Sequence, residues 1–575
     1  MRSSGLLLAI MLASASLCRA QNAPSAVSSA KQPHRETLTA PDMILFDGVI
    51  YTGVGFTEGK PQAVQAMAIA NGKVLAVGSD DAIKRLAGPG TVLRDLDSMH
   101  TDTVVFPGFN DAHTHLGSAG QTKIHLDLTG VESLDSMLAK VKAFTEAAPP
   151  GHWITGGNWD HTLWTNKRLP TRQDLDKVTG GRPAFLDRID GHIAIANTAA
   201  LKAAGLTSAT KPPQGGSIDL DANGQPTGIL RESAKALVQN VIPPPTSEER
   251  QRGDHLAIDD AVAHGVTSVQ DFSDWQDFLV FEEMEKESKL KVRITEWLPF
   301  RAPLPDILVM RAHHDQQDPM LHTGMLKGFM DGSLGSHTAA MKQPYADDTG
   351  NTGLPQYTQS ELNAVAKERA QAGFQIGFHA IGDKAAAMAL EAFEQADVTS
   401  AARDRIEHAQ VVDPADFPRF KQLGVIASMQ PNHLLTDMNW AEDRLGSKRA
   451  AYSYAWKAFL DAGVPLAFGT DYPVEPITPF RGLYAAVTRK NEQGTKTYYP
   501  ENKVTRGEAL YAYTQGSAYA DFAEKHKGKL VPGYDADFVL VDRDLYTIDA
   551  PALLATQVRA TFVAGKEVYA GAKTQ

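Results

Sequence analysis

The 575-residue chain is 43% hydrophobic and 22% charged, an ordinary globular balance that excludes disordered and collagen-like classes. Its formal net charge is −12 with no long basic run, which argues against nucleic acid as a partner, because phosphate binding needs clustered Lys and Arg. The single cysteine is Cys18, inside the N-terminal processing segment described next, so the mature chain is expected to hold neither a disulfide nor a cysteine-ligated zinc.

Arg2, the apolar run Leu6 to Leu17 and the small residue Ala20 have the anatomy of a secretory signal peptide over residues 1–20. About twelve apolar residues are too few to span a bilayer. No stable membrane anchor is therefore expected after cleavage, and the mature protein is expected to be periplasmic or secreted. Residues 21–40, rich in Ser, Ala, Pro and Lys, read as a flexible leader.

Between 41 and 104, short apolar runs alternate with turns: Met43 to Phe46 before Asp47-Gly48, Ala66 to Ile69 before Asn71-Gly72, and Val74 to Val77 before Gly78. Asp-Gly and Asn-Gly between apolar runs are hairpin signals. Asp537 to Val541 and Ala560 to Val563 repeat this texture in the C-terminal segment 501–575, which also carries a final helix. The two ends are expected to form one small, discontinuous β-sandwich.

Over 105–500 the pattern changes to apolar strands alternating with longer helical stretches, the signature of parallel βαβ units. Eight candidate strands run Thr103 to Phe109, Pro183 to Arg188, Val266 to Asp271, Met325 to Met330, Phe374 to His379, Arg405 to His408, Val425 to Met429 and Pro465 to Gly469. Eight such strands predict an α/β fold, a (β/α)8 TIM barrel whose active-site residues lie at the C-terminal ends of the strands.

Polar residues recur where those strands end. His113 and His115 are two apart, so on an extended strand they point the same way and can approach one ion. His379, His408 and Asp471 each close a further strand-like run. One histidine at a strand end is more often a satisfied core residue, but four with an aspartate at one barrel edge are a suitable donor set for zinc or a similar ion. His433 is an intermediate case that could face the pocket. His34, His313, His314 and His526 lie in polar or Lys-rich stretches and have no evident role.

The run Pro107-Gly108-Phe109-x-Asp111-x-His113-x-His115, the strand-end His379 and His408, and Gly469-Thr470-Asp471 resemble the amidohydrolase superfamily. The segments Gly157 to Asp160, Asp187 to His192, Gly228 to Glu232 and Lys327 to Ser336 resemble its YtcJ-like branch (amidohydrolase family 3), which includes N-substituted formamide deformylase. The similarity runs from about Asp42 to Gly571, and every expected metal-ligand position is filled. The resemblance implies two divalent metal ions, expected to be Zn2+, with His113 and His115 on one, His379 and His408 on the other, and Asp471 also touching metal. It also implies that Lys327 is carboxylated and bridges both ions. An ammonium beside two dications is disfavoured, so the neutral amine that reacts with carbon dioxide is favoured. The plainer alternative for Lys327 is an ion pair with Asp331.

The implied chemistry is hydrolysis of a C–N bond in a small-molecule amide or N-substituted formamide by metal-activated hydroxide, with Asp471 moving the proton. The same centre suits an ester, lactone or carbamate. A non-catalytic exported binding or regulatory protein on this fold is the remaining alternative. His192 could donate a hydrogen bond to the substrate carbonyl or make a structural one. Trp159 and Trp164 could form an aromatic wall or simply pack. Glu232, Asp331 and His337 are further pocket candidates. A homodimer is one assembly the sequence leaves open.

Overall fold

A computed structural model describes residues 40–99, 102–149, 151–188, 193–213 and 216–571. The signal segment and most of the leader lie outside the described residues. Among the described residues, no helix is long and apolar enough to cross a membrane.

The N-terminal hairpin forms as its turn residues require. Ala66–Ala70 pairs antiparallel with Lys73–Gly78 across Asn71-Gly72, whose φ angles of 52° and 73° are those of a two-residue hairpin loop. These strands join Met43–Phe46 and Val92–Asp95 in a four-stranded sheet. A six-stranded sheet combines both ends of the chain. Val49–Tyr51 and Val104–Pro107 lie beside Phe538–Val541, Val558–Val563 and Lys566–Ala570. Leu45, Met67, Ile69, Val105, Phe538 and Phe562 form one buried core between the sheets, with the rings of Phe538 and Phe562 stacked at 4.4 Å. The expected discontinuous sandwich is present.

The barrel consists of eight parallel strands: Phe109–Thr114, Val266–Asp271, Arg293–Pro299, Leu321–Phe329, Ile376–Ala380, Arg405–His408, Ile426–Met429 and Leu466–Phe468. The ring closes through the segment after the eighth strand. Asp471 N donates to His113 O at 2.8 Å and His115 N to Tyr472 O at 2.8 Å.

Two expected strands are corrected. Pro183 to Arg188 does not belong to the barrel. Ala184–Arg188 lies in a separate six-stranded sheet spanning Leu126 to Glu232, inserted after the first barrel strand. Its place is taken by Arg293–Pro299, whose apolar run is interrupted by Glu296, a carboxylate that the barrel buries. Periodicity marks a strand but does not say which sheet it joins. Thr103 to Phe109 is two strands, not one. Val104–Pro107 pairs with Phe538–Val541 in the sandwich, and Phe109–Thr114 opens the barrel.

Candidate metal centre

The six ligand candidates converge from four strands, the first of which supplies both His113 and, just past its end, His115, and from the segment closing the ring. His113 is fully buried, and its Nδ1 donates to Glu407 Oε2 at 2.7 Å. That fixes the ring so that Nε2 faces Lys327 Nζ at 3.0 Å and Asp471 Oδ1 at 3.5 Å. His115 Nδ1 donates to Phe272 O at 2.8 Å, which turns its Nε2 to Asp471 Oδ1 at 3.1 Å. The His408 ring lies 4.9 Å from that of His113 and 4.4 Å from that of His379. His379 Nε2 lies 3.1 Å from Gly332 O.

His433, an intermediate case on sequence alone, also belongs to the group. It sits on the helix Pro431–Asp437 with Nε2 3.4 Å from Asp471 Oδ2. The donor atoms of His113, His115 and Asp471 lie within 4.8 Å of one another, as do those of His408, His433 and Asp471. Asp471 therefore stands between two groups of imidazoles.

The backbone and the neighbouring side chains over-determine this arrangement. His408 and Asp471 adopt left-handed φ angles of 70° and 61°, a conformation non-glycine residues keep only where surrounding contacts enforce it. Asp111 ties the first strand to the closing segment: Oδ1 accepts from His113 N and Thr470 N, and Oδ2 from Thr470 Oγ1 at 2.6 Å. A side chain at Gly469 would meet Asp111 Oδ1 and His113 N at 2.6 Å, so only glycine permits this approach. Arg405 supports Glu407 with Nε 2.8 Å from Oε1 and donates to Ala112 O and Ser428 Oγ at 2.8 Å.

Burial sets the electrostatics. It lowers the Lys327 ammonium to about 8 and, with Lys327 nearby, His379 to about 4. Burial opposes ionisation of Asp471, but the imidazoles of His113, His115 and His433 outweigh it and hold the carboxyl well below its usual range. Burial raises Asp111 to about 7 despite its donors.

The donors fit divalent ions. His408 Nδ1 is buried with no hydrogen-bond partner. Lys327 Nζ faces an imidazole nitrogen rather than a carboxylate, over the rings of Trp297 and Phe329 at 5.2 Å. Such groups tolerate burial together when a cation joins them.

The pocket candidates fall in different places. Asp331 makes no ion pair with Lys327. It is buried, accepting from Ile381 N at 3.1 Å and from Ala340 N and Gly382 N at 2.8 Å, with burial raising it to about 7. Its Oδ1 also lies 3.6 Å from His379 Nε2. Trp159 and Trp164 pack in the core of the inserted sheet, their indole N–H groups donating to Leu186 O at 2.9 Å and Val131 O at 3.0 Å. Glu232 is exposed at the end of the strand Pro226–Glu232, and His337 pairs with Asp347 at 3.0 Å. His192 lies outside the described residues.

The aromatic wall beside the centre comes from residues the sequence reading did not single out. His115, Phe272, Trp275, Trp297 and Phe329 line a cavity of about 400 Å³. Phe272 and Trp275 follow the second strand, Trp297 lies on the third and Phe329 ends the fourth. An alignment of barrel strand ends would have found them; a search for aromatic-rich loops does not.

The profile of the amidohydrolase family matches residues 101–569. The protein LONG AFTER FAR-RED 3 of Arabidopsis thaliana is 34% identical over 93% of this chain and 93% of its own. YtcJ of Bacillus subtilis (strain 168) is 33% identical over 91% of this chain and 98% of its own, and N-substituted formamide deformylase of Arthrobacter pascens 26% over 90% and 97%. Among solved structures, a metal-dependent hydrolase from Pyrococcus furiosus matches with a TM-score of 0.74 at 32% identity, covering 88% of this chain and all of that one. With a donor set at the barrel mouth and this family match over most of its length, the chain belongs to the amidohydrolase family and is a metal-dependent hydrolase.

Proposed function

We propose that the protein is an exported amidohydrolase that cleaves a C–N bond in a small-molecule amide, with an N-substituted formamide as the leading substrate class. The convergence of His113, His115, Lys327, His379, His408 and Asp471 beside the aromatic cavity carries this reading. Likeness to N-substituted formamide deformylase supports the bond type.

Two divalent ions, expected to be zinc, would supply a hydroxide nucleophile at neutral pH and polarise the carbonyl under attack. The four histidines would hold them, each ring of the first pair oriented by an acceptor on its other nitrogen. Lys327, as a carbamate formed from the neutral amine that burial favours, would be a further ligand to these ions. Asp471 takes the proton of the nucleophile and returns it to the departing nitrogen, so one carboxylate serves as base and then acid. Phe272, Trp275, Trp297 and Phe329 accept an apolar or aromatic substituent on that nitrogen.

The test is a panel of N-formyl, N-acyl, ester and lactone substrates presented to zinc-loaded and chelator-treated mature protein. Chelator-sensitive turnover of the N-formyl and N-acyl compounds is expected. Turnover of esters or lactones alone would overturn the assigned bond, and no turnover with zinc bound would make the protein a binding or regulatory member of the family.

A further inference from the structure

A second cluster of ligand-type side chains lies at the opposite end of the barrel. His314 follows the helix Leu304–His313, Glu285 is in the last turn of the helix Trp275–Lys286, and Asp318 precedes the strand Leu321–Phe329. Lys327 is near the far end of that strand, roughly 20 Å of extended backbone away.

The geometry at His314 is specific. Its Nδ1 lies 2.9 Å from Glu282 Oε1 and donates to that carboxylate, which turns Nε2 to the other side of the ring. Nε2 is buried without a hydrogen-bond partner and faces Glu285 Oε2 at 3.5 Å and Asp318 Oδ2 at 3.6 Å. A nitrogen and two carboxylate oxygens that face one another at these distances without a hydrogen bond to Nε2 are a suitable donor set for a cation placed among them. The neighbouring cationic side chains are engaged elsewhere: Lys286 pairs with Glu282 at 3.1 Å, and Arg293, whose charge also reaches Asp318, pairs with Asp537 at 2.6 Å. His313 likewise approaches Glu282, at 3.5 Å.

Asp318 is preset for such a role. Its Oδ1 accepts from Met320 N at 2.7 Å and Leu321 N at 3.2 Å, leaving Oδ2 turned to the cluster. Burial and the nearby Asp318 raise Glu285 to about 7, against the opposing charge of His314. Zinc bonds of about 2.0–2.2 Å in tetrahedral geometry put neighbouring donors roughly 3.3–3.6 Å apart, the spacing of His314 Nε2 from each carboxylate, and all three donors lie within 4.8 Å of one another. A ligating histidine whose other nitrogen donates to a carboxylate is the usual supporting arrangement around a metal.

We propose that His314, Glu285 and Asp318 form a second divalent-cation site, of the zinc type, separate from the hydrolytic centre. The ion ties two barrel helices to the start of the fourth strand, and solvent completes its shell on the part-exposed side. Glu282 is a positioning residue that orients the His314 ring.

The test is anomalous scattering at the zinc edge from crystals of zinc-loaded mature protein. A peak within bonding distance of His314 Nε2 is expected, in addition to density at the barrel mouth. In the double variant Glu285→Gln, Asp318→Asn, the remote peak is expected to vanish and bound zinc to fall by one equivalent, with hydrolysis at saturating zinc kept within about twofold. A map with density at the mouth and none at His314, or equal zinc content in parent and variant, would reduce the cluster to a simple ion pair. If the double variant fails to fold, His314→Gln gives the same readout, and the parent map decides by itself.

Discussion

The barrel mouth and the inserted sheet both carry large, buried, polar-tipped side chains, yet they use them in opposite ways. In the insert, Trp159 and Trp164 donate to carbonyls within the insert itself, so each indole is satisfied where it packs. At the mouth, His113 and His115 come from one strand, Lys327, His379 and His408 from three others and Asp471 from the closing segment, and His408 Nδ1 is left without a partner. A buried polar group satisfied inside its own unit stabilises that unit. Groups from distant segments that face one another with lone pairs are held for something they bind.

The widest gap between the two regions is expected at Asp471. Asp471→Asn should lower kcat by roughly two to four orders of magnitude, the usual range for losing a general base, while zinc is still bound. Steady-state kinetics with metal analysis checks this, and full turnover in a zinc-loaded variant would remove the proton-transfer role.

Asp254, on the helix Ser247–Ala263, tests whether an unpartnered group outside the ligand set is costly. Both its carboxylate oxygens are buried without hydrogen-bond partners, and burial raises it from 3.8 to about 8. Between those values the folded state holds the proton more tightly than the unfolded chain, so stability falls as pH rises through the window. Asp254→Asn, neutral throughout, should be more stable than the parent at pH 8.5 by about 3–5 kcal/mol, with the gap closing towards pH 4. Denaturant unfolding at both pH values measures it. A pH-independent difference would mean that the group is compensated.

A smaller effect is expected at Glu407, which holds the ring of His113 and whose charge also reaches Lys327. Glu407→Gln should weaken zinc binding by about 10–100-fold, the usual cost of losing a carboxylate behind a ligating histidine. Chelator competition reads it. Unchanged affinity would show that the ring of His113 is held by packing alone.

The smallest change belongs to the insert. Trp159→Phe keeps most of the ring volume but leaves Leu186 O without its donor, so unfolding should become easier by about 1–2 kcal/mol with kcat unchanged. A large loss of kcat instead would place Trp159 in the reaction and dissolve the contrast between the two regions.

Much of the fold was legible because it rests on local rules. Asn71-Gly72 adopts the hairpin conformation its residues favour, and the histidines were found because strand ends in a barrel face one mouth. Lys327 was legible only through family resemblance, since no spacing rule distinguishes it from an ion-paired lysine. Arg293–Pro299 was missed because Glu296 breaks its apolar run, and that carboxylate is buried inside the barrel.

The amino-acid sequence by itself determined the kinds of element and the donor chemistry of the mouth, because side-chain type and periodicity are local properties. Tertiary structure alone decided which strand joined which sheet. It also placed Trp159 in a core rather than on a pocket wall, and brought His433 to Asp471 and His314 to Glu285 and Asp318. Those outcomes depend on contacts between segments far apart in the chain, and periodicity carries no information about which distant partner a buried face will meet.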